Sequence, residues 1–266
     1  MDIPAKKSLG QNFLKSKVAL HKMVLAGEVN IEDTILEVGP GKGVLTEKLL
    51  EIAKKVLAVE KDDRLISLLQ EKFSVEIKLG KLEIIHGDIL DFEPTKYNLI
   101  TGNYKIIANI PYYITGVFLR KFLETNCQPS KIVVMVQKEI AQRIVANDNK
   151  ESLLSISVKA YGTPKIIMKV GKENFSPAPK VDSAVLLINN ISKNLFTQNH
   201  LSENRFFEIL HFGFAHKRKM LLGNLKQALG KEVNLLETFK VSGIEEKIRA
   251  EDLTLKNWFD LVKEIN

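Results

Sequence analysis

The stretch that most limits what this chain can fold into runs from Thr34 to Leu50. Thr34-Ile35-Leu36-Glu37-Val38 reads as a buried strand. It passes through Gly39-Pro40-Gly41-Lys42-Gly43 into a helix that includes Leu45-Thr46-Glu47-Lys48-Leu49-Leu50. Strand, glycine turn and helix together open a nucleotide-binding βαβ unit. The spacing narrows the ligand. A dinucleotide fingerprint wants G-x-G-x-x-G, and here Val44 fills the last glycine slot, leaving G-x-G-x-G. No Lys-Ser or Lys-Thr pair follows the glycines, which argues against a P-loop. Gly39 and Gly41 allow backbone to approach a ligand without Cβ interference.

The pattern then repeats. A second strand, Val56-Leu57-Ala58-Val59, ends in Glu60, about twenty residues beyond the first glycine, where an acid takes ribose hydroxyls. The competing reading of Glu60 is a solvated acid at a strand end. A helix follows, with Asp62 or Asp63 as its cap. Leu82-Glu83-Ile84-Ile85-His86 is a third strand running into Gly87-Asp88. Asp88 can accept from an adenine amine, and His86 reads as a packed strand residue. Further strands are expected at Ile106–Ala108, Ile132–Val136, Lys165–Val170 and Ala184–Ile188. Helices are expected at Ile114–Leu123, Lys138–Ala146 and Leu153–Tyr161.

The fourth strand leaves the sheet through Asn109-Ile110-Pro111-Tyr112. Pro111 cannot continue a central strand and biases Ile110 away from the helical region. The turn therefore offers an amide side chain, a carbonyl and a ring at a strand's carboxyl end, where open α/β sheets bind ligands. The Asn109 side-chain oxygen and the Ile110 carbonyl can both accept from the exocyclic amine of a flat base. Tyr112 offers a face for stacking. A second stiff loop, Phe175-Ser176-Pro177-Ala178-Pro179, is expected to hold the Phe175 ring at the surface, with a core plug beneath the loop as the other reading.

With 45% hydrophobic residues the chain can build a full core, and a net charge of +7 favours an anionic partner. The single cysteine, Cys127, excludes a disulfide framework and a zinc cluster, so no metal is expected. No apolar run approaches the ~18 residues that span a bilayer, and the N-terminus, Met1 to Lys7, does not read as a secretory signal. A soluble cytoplasmic monomer is expected. A basic arm carries Lys6 and Lys7, and Gly10-Gln11-Asn12-Phe13-Leu14 lies within it. Ser16 reads as the N-cap of an amphipathic helix bearing Val18, Met23, Val24 and Val29. After Asn189 the strands stop. Residues 189–202 read as a polar linker, and 205–229 and 233–265 as helices, with the basic cluster His216-Lys217-Arg218-Lys219 among them.

On these motifs the chain resembles the ribosomal RNA adenine N6-dimethyltransferases, the family of the kasugamycin-sensitivity methyltransferase. The resemblance rests on Gly10–Leu14, Glu37–Gly43, Val59-Glu60, Gly87-Asp88, Asn109–Thr115 and Phe175–Val185, in the family's order. It implies a class I S-adenosylmethionine-dependent methyltransferase domain over residues 1–190. That domain is an α/β, Rossmann-like fold with a seven-stranded sheet whose last strand is antiparallel. A small all-helical RNA-binding domain over 191–266 would follow. It implies that Asn12, Leu14, Gly39, Gly41, Glu60, Asp88 and Asn109 hold S-adenosylmethionine. Asn109, Ile110, Pro111, Tyr112 and Phe175 would hold the target base, and Lys6, Lys7, Lys217, Arg218 and Lys219 would touch RNA. The implied substrate is a pair of adjacent adenosines in a hairpin near the 3′ end of small-subunit rRNA, within the small ribosomal particle, each taking two methyls. The large-subunit adenine methyltransferases of macrolide resistance share several of these motifs and are the alternative. An NAD-dependent oxidoreductase is a more remote one, opposed by the glycine spacing.

Overall fold

The computed structural model describes residues 3–146, 148–230 and 233–265, so Met1 and Asp2 of the expected arm lie outside the described residues. The chain divides into two compact units, residues 1–141 with 163–191, and residues 142–162 with 192–266. In the first unit, β1 (Phe13–Leu14) and α1 (Lys17–Ala26) precede β2 (Thr34–Val38) and α2 (Val44–Leu50). These are followed by β3 (Lys55–Glu60), α3 (Asp63–Lys72), α4 (Ser74–Lys78), β4 (Leu82–His86) and β5 (Tyr104–Asn109). Then come α5 (Thr115–Glu124) and β6 (Lys131–Gln137). The chain passes through α6 (Lys138–Val145) and α7 (Leu153–Lys159), and returns with β7 (Thr163–Val170), β8 (Phe175–Ser176) and β9 (Ser183–Asn189).

Seven of these strands form one sheet in the order β4-β3-β2-β5-β6-β9-β7. β2 lies parallel to both β3 and β5, and β9 lies antiparallel to both β6 and β7. The chain builds outward from β2 to β4, then restarts on the other side of β2 with β5. That reversal makes a topological switch point between β2 and β5, where the two following turns part and leave a crevice. Central strands β2, β3, β5 and β6 carry nearly continuous apolar runs because both faces are covered. His86, read as packed, is exposed at the end of edge strand β4.

Local signals account for several boundaries. The Ser16 hydroxyl accepts from the Ala19 amide and starts α1. The buried face of α1 is Ala19, Leu20, Met23 and Val24, while Val18 points to solvent. Asp62 caps α3 through the Arg64 amide. The Gly10–Leu14 segment is no frayed arm: Phe13 and Leu14 pair with Ser176 and Phe175 in the two-strand ladder of β1 and β8. That ladder settles the Phe175 alternatives. The ring is 2% exposed and packs in the core cluster with Leu14, Met23, Val170 and Val185, so it is a core plug and not a surface platform.

The second unit corrects four readings. The polar stretch after Asn189 holds a short helix, α8 (Asn194–Gln198), because Phe196 needs burial. The Phe196 ring packs on Tyr161, Phe206, Phe207 and Phe259. The expected helix at 205–229 is two, α9 (Glu203–Phe214) and α10 (Leu221–Leu229). The break falls on the basic cluster, which has no apolar residue to bury. The Asn224 side chain donates to the carbonyls of Gly213 and His216 and closes the end of α9. The expected helix at 233–265 likewise divides into α11 (Leu235–Val241) and α12 (Leu255–Ile265). Finally, the linear division at 190/191 omits residues 142–162, which belong with the tail: Tyr161 both stacks on Phe207 and donates to Glu203. Among the described residues no helix is long and apolar enough to cross a membrane.

Phe175→Ala should therefore behave as a core truncation and lower folding stability by about 3–5 kcal/mol. Urea unfolding of the variant beside the parent checks this; a change within ~0.5 kcal/mol would mean that the ring is not a core plug.

Candidate active site

A cleft of about 510 Å³ lies in the first unit, at the switch point. Its wall is assembled from the turn after β2 (Gly39 to Lys42), the end of β3 (Val59 to Lys61), the turn after β4 (Gly87 to Ile89), the turn after β5 (Asn109 to Ile114) and the arm from Leu9 to Lys15. Gly39 and Gly41 both adopt the left-handed conformation, with φ of 64° and 60°. A Cβ at Gly39 would have its nearest neighbour, the Asn109 carbonyl, 4.0 Å away. The turns after β2 and β5 thus face each other with room between them.

The carboxylates in and behind this wall sit in very different environments. Glu60 is 4% exposed. Its Oε2 accepts from the Gly41 amide at 3.1 Å and its Oε1 from the Asp62 amide at 2.9 Å. Burial outweighs these bonds and pushes its carboxyl up. Asp62, 1% exposed, has the opposite fate. Arg64 grips it through Nε at 2.9 Å and Nη2 at 2.6 Å, and the Gln11 amide donates to it at 2.8 Å. The Arg64 guanidinium holds that carboxyl well below the usual range. Burial raises the Asp88 carboxyl, but the Lys61 ammonium at 2.6 Å and the Leu90 amide outweigh it and leave it lowered. Glu37 is 1% exposed, and its Oε2 is buried without a hydrogen-bond partner among the described residues. Burial first, and the neighbouring Glu60 charge as well, push the Glu37 carboxyl up to about 8.

The arm is held over this wall by side chains. The Lys6 amide donates to Gln11 Oε1 at 2.7 Å, and Gln11 in turn donates to Asp62. Arg64 also reaches the Pro4 carbonyl at 3.4 Å. On the β5 side, Asn109 Nδ2 donates to the Asn12 carbonyl at 3.0 Å. That bond fixes which end of the Asn109 amide is nitrogen, and makes Oδ1 the end that accepts. Tyr112 is half-buried with its hydroxyl against that of Ser183, and Tyr113, the next residue, is exposed.

Asn12, Leu14, Gly39, Gly41, Glu60, Asp88, Asn109, Ile110, Pro111 and Tyr112 all line the cleft. Phe175 sits behind it in the core, and its neighbour Ser176 lines it instead. Lys6 and Lys7 are exposed on the arm. Lys217, Arg218 and Lys219 belong to the second unit and are exposed in the turn between α9 and α10, rather than along a helix. Nearby, Phe214 stacks on Trp258. Sequence reading assigned no role to Glu37, Gln11, Lys61 or Tyr113, all of which line the cleft. Only Glu37 carried a usable signal: it is an acid within an apolar strand that feeds a glycine turn.

A family model described as ribosomal RNA adenine dimethylase matches residues 4–266. A curated protein of Dehalococcoides mccartyi, "Ribosomal RNA small subunit methyltransferase A", is 43% identical over 255 residues, covering 96% of this chain and 86% of its own. One of the same name from Fusobacterium nucleatum is 34% identical over 265 residues, covering 99% of this chain and 98% of its own. Among solved structures, a dimethyladenosine transferase from Plasmodium falciparum superposes with a TM-score of 0.78 at 27% identity, covering 94% of this chain and 95% of its own. The 23S rRNA methyltransferase ErmE superposes with a TM-score of 0.76 at 22% identity, covering 96% and 99%, a likeness of fold.

The buried Glu37 predicts a pH signature in the protein without ligand. Its folded-state pKa lies near 8 against an ordinary 4.5, so folding favours the protonated acid. The stability this contributes is complete below about pH 4.5 and is lost as pH rises toward 8. Glu37→Gln should remove this dependence, so the variant should gain on the parent steadily from pH 5 to 8. Urea unfolding across that range is the check; parallel curves would refute it.

Proposed function

The chain belongs to the ribosomal RNA adenine dimethylase family, and from this premise we propose that it dimethylates the N6 amines of two adjacent adenosines. These lie in a hairpin near the 3′ end of small-subunit rRNA, and S-adenosylmethionine is the donor. The observation that carries the reading is the Asn109 amide. Its nitrogen is committed to the Asn12 carbonyl, so its oxygen and the adjacent Ile110 carbonyl form a pair of acceptors at the mouth of the switch-point cleft.

The residues present fit the donor. At Gly39 there is space where a side chain would stand, with nothing nearer than the Asn109 carbonyl at 4.0 Å, and the wall bears acceptors for a cationic ligand. Glu60 retains lone pairs for ribose hydroxyls, Asp88 for an adenine amine, and the arm at Asn12 and Leu14 covers the opening. When bound, S-adenosylmethionine supplies an electrophilic methyl group on a sulfonium. The work of the chain is then positioning and electrostatics. The adenine amine is conjugated into its ring and is a poor nucleophile. Accepting both of its protons at Asn109 Oδ1 and the Ile110 carbonyl holds the nitrogen with its lone pair away from the ring. The methylated amine is a strong acid and loses its proton to water, so no side chain need act as a base. A base in a hairpin must leave its stack to enter the cleft, and the Tyr112 face, held by the Ser183 contact, receives it. Outside the cleft, Lys6 and Lys7 on the arm and Lys217-Arg218-Lys219 in the second unit contact RNA phosphates.

The decisive test incubates the protein with labelled S-adenosylmethionine and, separately, with small- and large-subunit substrates lacking the modification, then maps the labelled base. Label on two adjacent adenosines of the small-subunit hairpin is expected. Label confined to large-subunit RNA would replace this reading with the alternative substrate.

Asn109→Ala should lower methyl transfer by about 10²-fold or more, because the contact matters most in the transition state. S-adenosylmethionine affinity, followed by calorimetry, should fall much less; near-normal turnover would refute the role of the amide. Reversing one charge of the basic turn, with Arg218→Glu, should weaken binding to every RNA by a similar factor. The slope of log affinity on log salt should flatten by roughly 0.7 to 0.9 for each phosphate that is no longer neutralised. An unchanged slope would mean that the turn is only solvated.

A further inference from the structure

Two successive tyrosines at the cleft mouth are disposed differently. Tyr112 is half-buried and tied to Ser183. Tyr113 is 64% exposed, yet it is not loose. One side of its ring lies on the Gly10 backbone: a Cβ at Gly10 would stand 3.3 Å from both Cδ1 and Cε1, and 3.5 Å from Pro111 Cβ. Gly10, at φ 63°, ends the short helical turn Lys7–Leu9, so the exposed Lys6 and Lys7 lie one turn from the ring's support. On the other side in sequence, Val117 and Arg120 follow at helical spacing and are exposed, and a Cβ at Gly116 would have nothing within 4 Å. A large ring is thus braced from behind, open in front, beside the cleft mouth and near positive charge.

We propose that Tyr113 is the platform for the nucleotide that neighbours the target adenosine, stacking on its base while the target base occupies the cleft. This rests on the RNA-modifying reading above and adds a positioning residue to it. An aromatic side chain already held by backbone loses little freedom when a base settles on it, and stacking tolerates any base. Lys6 and Lys7 supply charge for the flanking phosphates, while Arg120 is already paired with Glu124. When the target base leaves its helix, its neighbour loses a stacking partner, and the Tyr113 ring replaces it. Tyr113 accordingly acts on RNA binding and register rather than on the reacting amine.

The experiment uses the full-length protein and a small-subunit hairpin RNA carrying 2-aminopurine, a fluorescent adenine analogue, next to the two target adenosines. The wild-type protein should quench the probe on binding and methylate the unlabelled hairpin. Tyr113→Ala should lose the quenching and bind the hairpin about tenfold more weakly, with the loss in KM for RNA rather than in kcat. Tyr113→Phe should restore both, whereas Tyr113→Leu should not. Thermal unfolding of Tyr113→Ala, measured alongside, should match the wild type. Quenching and RNA affinity within about twofold of wild type in Tyr113→Ala would overturn the platform while leaving the proposed function standing. Failure of the wild-type protein to methylate the hairpin would overturn both.

Discussion

The first unit depends on how two carboxylates at the end of β3 are satisfied. Glu60 and Asp62 are both buried, and an ionised acid out of water must find donors. Asp62 finds a guanidinium and an amide side chain, and those partners bring the N-terminal arm with them, through Gln11, Lys6 and Pro4. Glu60 finds backbone amides, one of them that of Gly41. The Asp62 carboxylate is fully engaged and structural. Glu60 fixes the glycine turn while keeping capacity for a ligand. Asn109 repeats the device across the cleft, with one end of its amide on the arm and the other left to accept. The same few bonds that close the arm therefore orient the groups that the proposed chemistry uses.

How far this could be read from sequence follows from the range of each signal. The glycine turn, Glu60, Asp88 and the Asn109-to-Pro111 turn are local patterns at strand ends, and the sheet order carries all of them to one edge. Phe175 could not be placed so, because a ring beside two prolines is surface or core according to what pairs with it. Its partner, Leu14, is far away in sequence. Phe196 was hidden for a related reason: one aromatic in a polar stretch has no periodicity, and its neighbours come from three other segments. The break at the basic cluster was legible in retrospect, since a run of cations offers nothing to bury. That residues 142–162 join the tail is set by aromatic packing around Tyr161, which no linear reading of composition registers.

Charge is sorted in space rather than merely summed. The chain carries a net +7, a balance suited to a polyanion. Yet the cleft is lined by Glu37, Glu60 and Asp88, with Lys15 and Lys61 exposed beside them. A polyanionic RNA and a cationic methyl donor want opposite surroundings, and a uniformly basic surface would repel the second while it attracted the first. Burying Glu37 and Glu60 behind a glycine turn resolves the conflict. There, on the proposed reading, the low dielectric strengthens the attraction of an ionised carboxylate for a bound cation, and the exposed lysines of the arm set the potential that RNA meets. The penalty falls on Glu37 and Glu60, whose carboxyls burial pushes upward. A cationic ligand in the cleft would relieve that penalty by favouring the ionised carboxylates.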